Sequence, residues 1–132
     1  MTRRSDCPIS NVLDFVGDKW SLLIIRDLLF FGKKSYSELI SSDEQIASNI
    51  LSSRLGSLEK GGLITKQVDI NDKRKKIYAL TQKGKDMLPI MLEMMIWSSK
   101  YDPSTNASER LIVRAKTDRN NLISDLLAIA ES

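Results

Sequence analysis

Residues 45–85 read QIASNILSSRLGSLEKGGLITKQVDINDKRKKIYALTQKGK, and the order of patterns in them decides the fold. Ile50, Leu51, Leu55 and Leu58 recur at helical spacing, which predicts an amphipathic helix over residues 47–60. Gly61-Gly62 supplies the left-handed residue that ends a helix. A strand over residues 63–68, a charged turn over 70–75 and a second strand over 76–80 follow; the last alternates polar and apolar, as a half-buried strand does. Thr81 then caps a further helix that begins TQKGKDML. A recognition helix backed by a β-hairpin wing is the arrangement this order describes, and it points to reading of double-stranded DNA.

The outer face of the 47–60 helix carries Gln45, Ser48, Asn49, Ser52, Ser53 and Ser57 in place of the long charged residues usual on a solvated helix. Small polar side chains let a backbone approach the major groove and hydrogen-bond base edges or phosphates. Behind it, Lys66, Lys73, Arg74, Lys75, Lys76, Lys83 and Lys85 outnumber Asp69, Asp72 and Asp86. A basic run on a hairpin tip fits phosphate binding, although on charge alone a solvated lysine-rich turn fits equally well. The net charge of +3 is too small to decide between them.

Toward the N-terminus, Pro8 suits the first turn of a helix carrying Ile9, Val12, Leu13 and Val16, with Gly17 ending it and Asp18 capping the next. Residues 19–30 are apolar almost all round, with Trp20, Leu23, Ile24, Leu28 and Phe31 expected in the core. Gly32 stops this helix; residues 33–35 are extended, and Ser35 or Ser37 caps a brief helix over 36–40 before a polar turn at 41–44. On the far side, Pro89 is expected to kink a long helix. Met87, Met91, Met94 and Met95 share a face of it with Leu88 and Trp97, which reads as core or dimer packing in preference to an effector pocket. Residues 102–106 form a break, and the tail over 107–131 is helical by pattern, divided at Thr117-Asp118.

At 132 residues the chain is expected to form a single domain with a real core. No apolar run is long enough to span a membrane, and MTRRSDCPIS lacks the apolar stretch of a secretory signal, so the cytoplasm is the expected location. One cysteine and no histidine rule out an internal disulfide, a zinc cluster and the Ser-His-Asp or Cys-His nucleophile arrangements. No glycine-rich phosphate loop is present, no cofactor is expected, and an enzyme is the weakest reading.

Several motifs, in order, narrow the fold further. Cys7-Pro8 and Val16-Gly17-Asp18-Lys19-Trp20 resemble the Cys-Pro and Gly-Gly-Lys-Trp signatures of the HxlR-type transcription regulators. Tyr36-Ser37-Glu38-Leu39 is similar to their Phe-x-Glu-Leu, and Ile50-Leu51-Ser52-Ser53-Arg54-Leu55 with Leu58-Glu59 to their recognition helix. Tyr78-Ala79-Leu80-Thr81-x-x-Gly84, then Leu88-Pro89 and Trp97, resembles their wing exit and dimer helix. Asp18 stands where the family has a second glycine, Ser35 where it usually has arginine, and the wing tip lacks the usual proline pair; Asp72-Lys73-Arg74 is instead similar to the Asp-x-Arg wing of the MarR regulators.

The resemblance implies a mostly α fold with a small β-hairpin, a winged helix-turn-helix with its DNA-binding core over about 19–81 and dimerisation helices at about 8–17 and 82–131. It implies a homodimer on a pseudo-palindromic operator, with recognition helices in major grooves ~10 bp apart. The expected DNA contacts are Ser48, Asn49, Ser52 and Ser53 on the helix, with Asn49 the best base reader because its amide can pair bidentately with adenine. Lys33, Lys34 and Tyr36 are expected to clamp phosphates, and Lys73, Arg74 and Lys75 to form the wing contacts, Asp72 orienting Arg74. Arg54 lies beside the apolar face, where an ion pair with Glu38 or Glu59 competes with a phosphate contact. Cys7 sits at a helix start near Arg3 and Arg4, which favour thiolate, and Asp6, which opposes it. Some relatives sense oxidants or electrophiles at this point, so Cys7 is a candidate redox sensor; a small residue in the dimer seam is the plain alternative. A homodimeric repressor on a pseudo-palindromic operator, with Cys7 as its candidate sensor of oxidants or electrophiles, is the leading reading. A small-ligand-responsive regulator without thiol sensing, or a winged helix that binds protein, remains the alternative.

Overall fold

The computed structural model describes residues 2–131. Eight helices and one hairpin follow in the order α1 (Pro8–Val16), α2 (Ser21–Phe30), α3 (Tyr36–Ile40), α4 (Ser48–Lys60), β1 (Ile64–Val68), β2 (Lys76–Leu80), α5 (Gln82–Lys85), α6 (Leu88–Tyr101), α7 (Glu109–Thr117) and α8 (Arg119–Glu131). Helix α2 is the axle. Its Ile25 and Leu29 are fully buried, and α1, α4, β2 and α8 all pack on it. Leu51, Leu55 and Leu58 of α4, Leu88 and Leu92 of α6, and Leu122 and Leu126 of α8 complete one continuous core. Each such leucine stabilises the fold by about 1.5–3 kcal/mol through burial.

Helix α2 starts two residues later than its apolar pattern, because Asp18 holds a turn ahead of it. The Asp18 carboxylate accepts hydrogen bonds from the N–H groups of Trp20 (3.0 Å) and Ser21 (2.9 Å) and from the Ser21 hydroxyl (2.6 Å). Phe31, expected in the core, is 61% exposed, since Gly32 with φ +64° turns the chain away just after it. Ser35, not Ser37, caps α3 through a full capping box with Glu38.

The hairpin is antiparallel, with Ile64 opposite Leu80 and Val68 opposite Lys76. A single bridge between Ser35 and Ile77 adds a third edge, and the Tyr78 N–H donates to the Lys34 carbonyl at 2.7 Å. Gly84 lets α5 press on the base of the wing: a Cβ there would stand 2.2 Å from the Leu63 carbonyl oxygen. Thr81 ties the same corner, donating its hydroxyl to the Gly62 carbonyl (2.6 Å) and accepting the Gly84 N–H (3.2 Å).

Pro89 does not kink a long helix. The chain turns after α5, α6 begins afresh at Leu88, and Pro89 lies in its first turn, where its missing N–H has no partner to lose. The methionines do not share one environment either. Met87 and Met91 join the core, whereas Met94 is 50% and Trp97 68% exposed. Met91, Met94 and Met95 line an open groove of about 740 Å³ between α2 and α6 with Leu22, Phe30 and Leu111. The break at residues 102–106 and the division at Thr117-Asp118 stand as expected, and the α7–α8 pair folds back onto the body. Arg119 pairs with Glu93 of α6, and Lys85 with Glu131 at 2.8 Å. No helix among the described residues is long and apolar enough to cross a membrane.

Candidate nucleic-acid interface

Helix α4 turns Leu51, Leu55 and Leu58 inward and leaves Ser48, Asn49, Ser52 and Ser53 exposed along its opposite side. These four form one surface because positions i, i+1, i+4 and i+5 span adjacent turns. Asn49 has no side-chain hydrogen bond among the described residues, so both ends of its amide face outward unspent. Ser52 does have a partner. The Tyr36 hydroxyl donates to the Ser48 carbonyl at 3.0 Å and meets the Ser52 hydroxyl at 3.3 Å. Tyr36 therefore latches α3 to the first turn of α4 and stays half-buried beside the face it was expected to join.

Arg54 chooses neither Glu38 nor Glu59. Its guanidinium lies 3.6 Å from Asp18 and donates to the Ser53 hydroxyl at 3.3 Å. Asp18 thus holds the start of α2 and the middle of α4 together. Burial pushes its carboxyl up, but the hydrogen bonds from Ser21 and Trp20 outweigh that and hold it below the usual range. The pairing was out of reach of sequence reasoning because residues 18 and 54 are neighbours only in the fold.

Lys33 is also turned inward. Its ammonium sits 3.4 Å from Asp27, a carboxylate only 3% exposed in the middle of α2. Arg26 binds the same carboxylate at 2.8 Å and reaches Glu44 with two bonds of 2.7 and 2.8 Å. The hydrogen bonds to Glu44, with those to Asp27, hold the guanidinium of Arg26 above its ordinary range, and the bond from Arg26 holds Glu44 below its own. The network fastens the turn before the recognition helix to the buried axle. A lone aspartate inside an apolar helix is the one signal that could have revealed it. Lys33 consequently belongs to this support, not to the exposed contact face; Lys34, half-buried, gives its carbonyl to the wing.

At the wing, Lys73, Arg74 and Lys75 are all exposed, Arg74 at 93% of its side chain. Asp72 accepts the Arg74 N–H at 3.0 Å and its Nε at 3.4 Å, which orients the guanidinium from behind. Lys75 also approaches α3. Glu38 lies below its usual range first because the Ser35 hydroxyl donates to it, with the Lys75 charge adding in the same direction.

Cys7 is exposed at the N-terminus of α1, its N–H donating to the Ser5 hydroxyl at 3.2 Å. The two arginines that sequence placed near it are engaged elsewhere: Arg3 with Asp6 at 3.2 Å and Arg4 with Asp14.

This geometry has counterparts. The sequence pattern of the HxlR-like helix-turn-helix family matches residues 15–106. The HTH-type transcriptional regulator YdeP of Bacillus subtilis is 33% identical over 95 residues, 72% of this chain and 73% of that protein. The solved reduced form of the transcriptional regulator YodB from B. subtilis superposes with a TM-score of 0.62 at 29% identity, over 76% of this chain and all (100%) of YodB. The redox regulator HypR in its oxidised form matches with a TM-score of 0.60 at 30% identity, over 71% of this chain and 96% of HypR. YodB has also been solved quinone-bound and diamide-treated.

Proposed function

The chain belongs to the HxlR-like helix-turn-helix family of transcriptional regulators, and from that premise we propose that it is a homodimeric, sequence-specific repressor on a pseudo-palindromic operator. The observation that carries this reading is the exposed face of Ser48, Asn49, Ser52 and Ser53 beside a wing presenting Lys73, Arg74 and Lys75. Base edges would be read from the first and phosphates held by the second. On this reading the single domain divides into a DNA-binding core over about 19–81, and helices at about 8–17 and 82–131 that bring two copies together.

Two apolar stripes support the dimer. Ile90, Met94, Trp97 and Tyr101 are exposed on α6 at intervals of four, three and four residues, the spacing of a two-helix seam. Ile9, 72% exposed, and Leu13, 50% exposed, form a shorter stripe on α1. Nuclease footprinting across the DNA upstream of the chain's own gene tests the function. The expected pattern is two protected half-sites ~10 bp apart, centre to centre. Uniform cleavage at concentrations that shift any duplex would reject sequence-specific reading and favour a protein-binding winged helix.

Regulation through Cys7 is a second proposal, supported by the exposure of its thiol and by relatives solved in oxidised, diamide-treated and quinone-bound forms. With one cysteine per chain, a protein disulfide has to join two copies. Two Cys7 thiols would form one S–S bond, passing two protons and two electrons to diamide, which becomes the hydrazine. A quinone would instead add directly, forming an S–C bond. Diamide is expected to change the DNA affinity of the wild type by about 5–150-fold and to leave Cys7→Ser unchanged. Equal affinity before and after treatment of the wild type ends the sensing proposal without touching the DNA reading.

A further inference from the structure

We propose that Ile70 is an apolar wedge which the wing inserts into the minor groove, adding a preference for deformable base steps beside each half-site; the proposal rests on the DNA reading above. Ile70 is 94% exposed, more than any other large apolar side chain among the described residues. A single exposed apolar residue is ordinary on most surfaces. This one stands in a turn whose backbone is hydrogen-bonded on either side of it. The Asp69 N–H donates to the Lys75 carbonyl at 2.9 Å, and the Lys75 N–H to the Asp72 carbonyl at 2.9 Å. Asp69 and Asp72 accept the N–H groups of Asn71 (2.8 Å) and Arg74 (3.0 Å) through their side chains. The tip therefore has little freedom to fold Ile70 back against the body.

Its surroundings choose the partner. Val68, 51% exposed, ends β1 two residues earlier. Lys73, Arg74 and Lys75 stand exposed across the turn. A protein-docking surface would need a broad apolar area, whereas the residues next to these two, Gln67, Asp69, Asn71 and Asp72, are polar or charged. An apolar finger on a turn whose far side carries three cations suits a groove walled by phosphates, where such side chains wedge between base steps and partly unstack them. Pyrimidine–purine steps yield most easily, so TA and CA/TG are the expected flanking preference.

Selection from a random duplex pool, followed by affinity measurement over a salt series, tests the wedge. Wild type should select half-sites flanked by TA or CA/TG. Ile70→Ser should keep the half-sites, lose the flanking preference and bind about ten-fold more weakly at an unchanged salt slope, since no charge is removed. Ile70→Leu should restore both properties, and Arg74→Ala should flatten the salt slope by about one per protomer. Ile70→Ser binding within about two-fold of wild type with the same flanks, or a loss that changes the salt slope, would overturn the wedge alone. A wild type that selects no common sequence would overturn the DNA reading and the wedge with it.

Discussion

Replacing Asp27 with alanine is expected to lower the unfolding free energy by about 3–5 kcal/mol, the usual result of removing one partner from a buried ion pair. The carboxylate is 3% exposed, and both cations beside it are largely enclosed: the side chains of Arg26 and Lys33 are 22% and 20% exposed. Without Asp27, Arg26 retains Glu44, but Lys33 loses its carboxylate in a site where water replaces it poorly. Asp27→Asn would preserve shape and some hydrogen bonding while still leaving the charges unbalanced, so its loss should be smaller. Urea denaturation followed by circular dichroism measures both. A change below about 1 kcal/mol for alanine would mean that the network relaxes freely into solvent. Because Arg26 also grips Glu44 in the turn before α4, a double-mutant cycle of Asp27 and Glu44 should show coupling, in keeping with residues of one hydrogen-bonded network.

Asn49→Ala carries the largest expected effect on recognition. A bidentate amide–adenine pair is worth about 1–3 kcal/mol, and a two-fold complex loses it twice, so specific binding should weaken by about 2–6 kcal/mol. Non-specific binding should barely move, because Lys73, Arg74 and Lys75 stay in place and no charge changes. The variant should remain folded, since Asn49 is exposed and bonds no other described side chain. Competition between an operator duplex and unrelated DNA provides the measurement. An equal loss on both would make Asn49 a phosphate contact, and no loss on either would remove it from the interface. Neighbouring Ser52 is a poorer target for such a test, since its hydroxyl also meets Tyr36 and its removal would disturb the latch to α3.

The elements were legible because their signals are local. The four apolar residues of α4, the Gly61-Gly62 stop and the alternation through β2 each lie within a few positions of what they control, whereas the choice of Ser35 over Ser37 as the α3 cap needed the structure. The expected kink at Pro89 fails for the same reason: proline in a helix pattern marks either a kink or a first turn, and only the turn after α5 distinguishes them. Asn49 and the wing cations were legible as an exposed polar face, since no packing is needed to predict that a surface lacks apolar residues.

Periodicity, caps and glycine stops, which act over one or two turns, sufficed to predict a winged helix-turn-helix and the stretch expected to meet DNA. The tertiary structure decided how each charge is used. Lys33 goes to Asp27, Arg54 to Asp18, Arg3 and Arg4 to Asp6 and Asp14, and Arg74 is left facing solvent with Asp72 behind it. Long cationic side chains reach several carboxylates with similar energy in an unfolded chain. Which one they take follows from the side chains that packing around α2 brings within reach and shields from water, and residue types along a chain do not encode that distance.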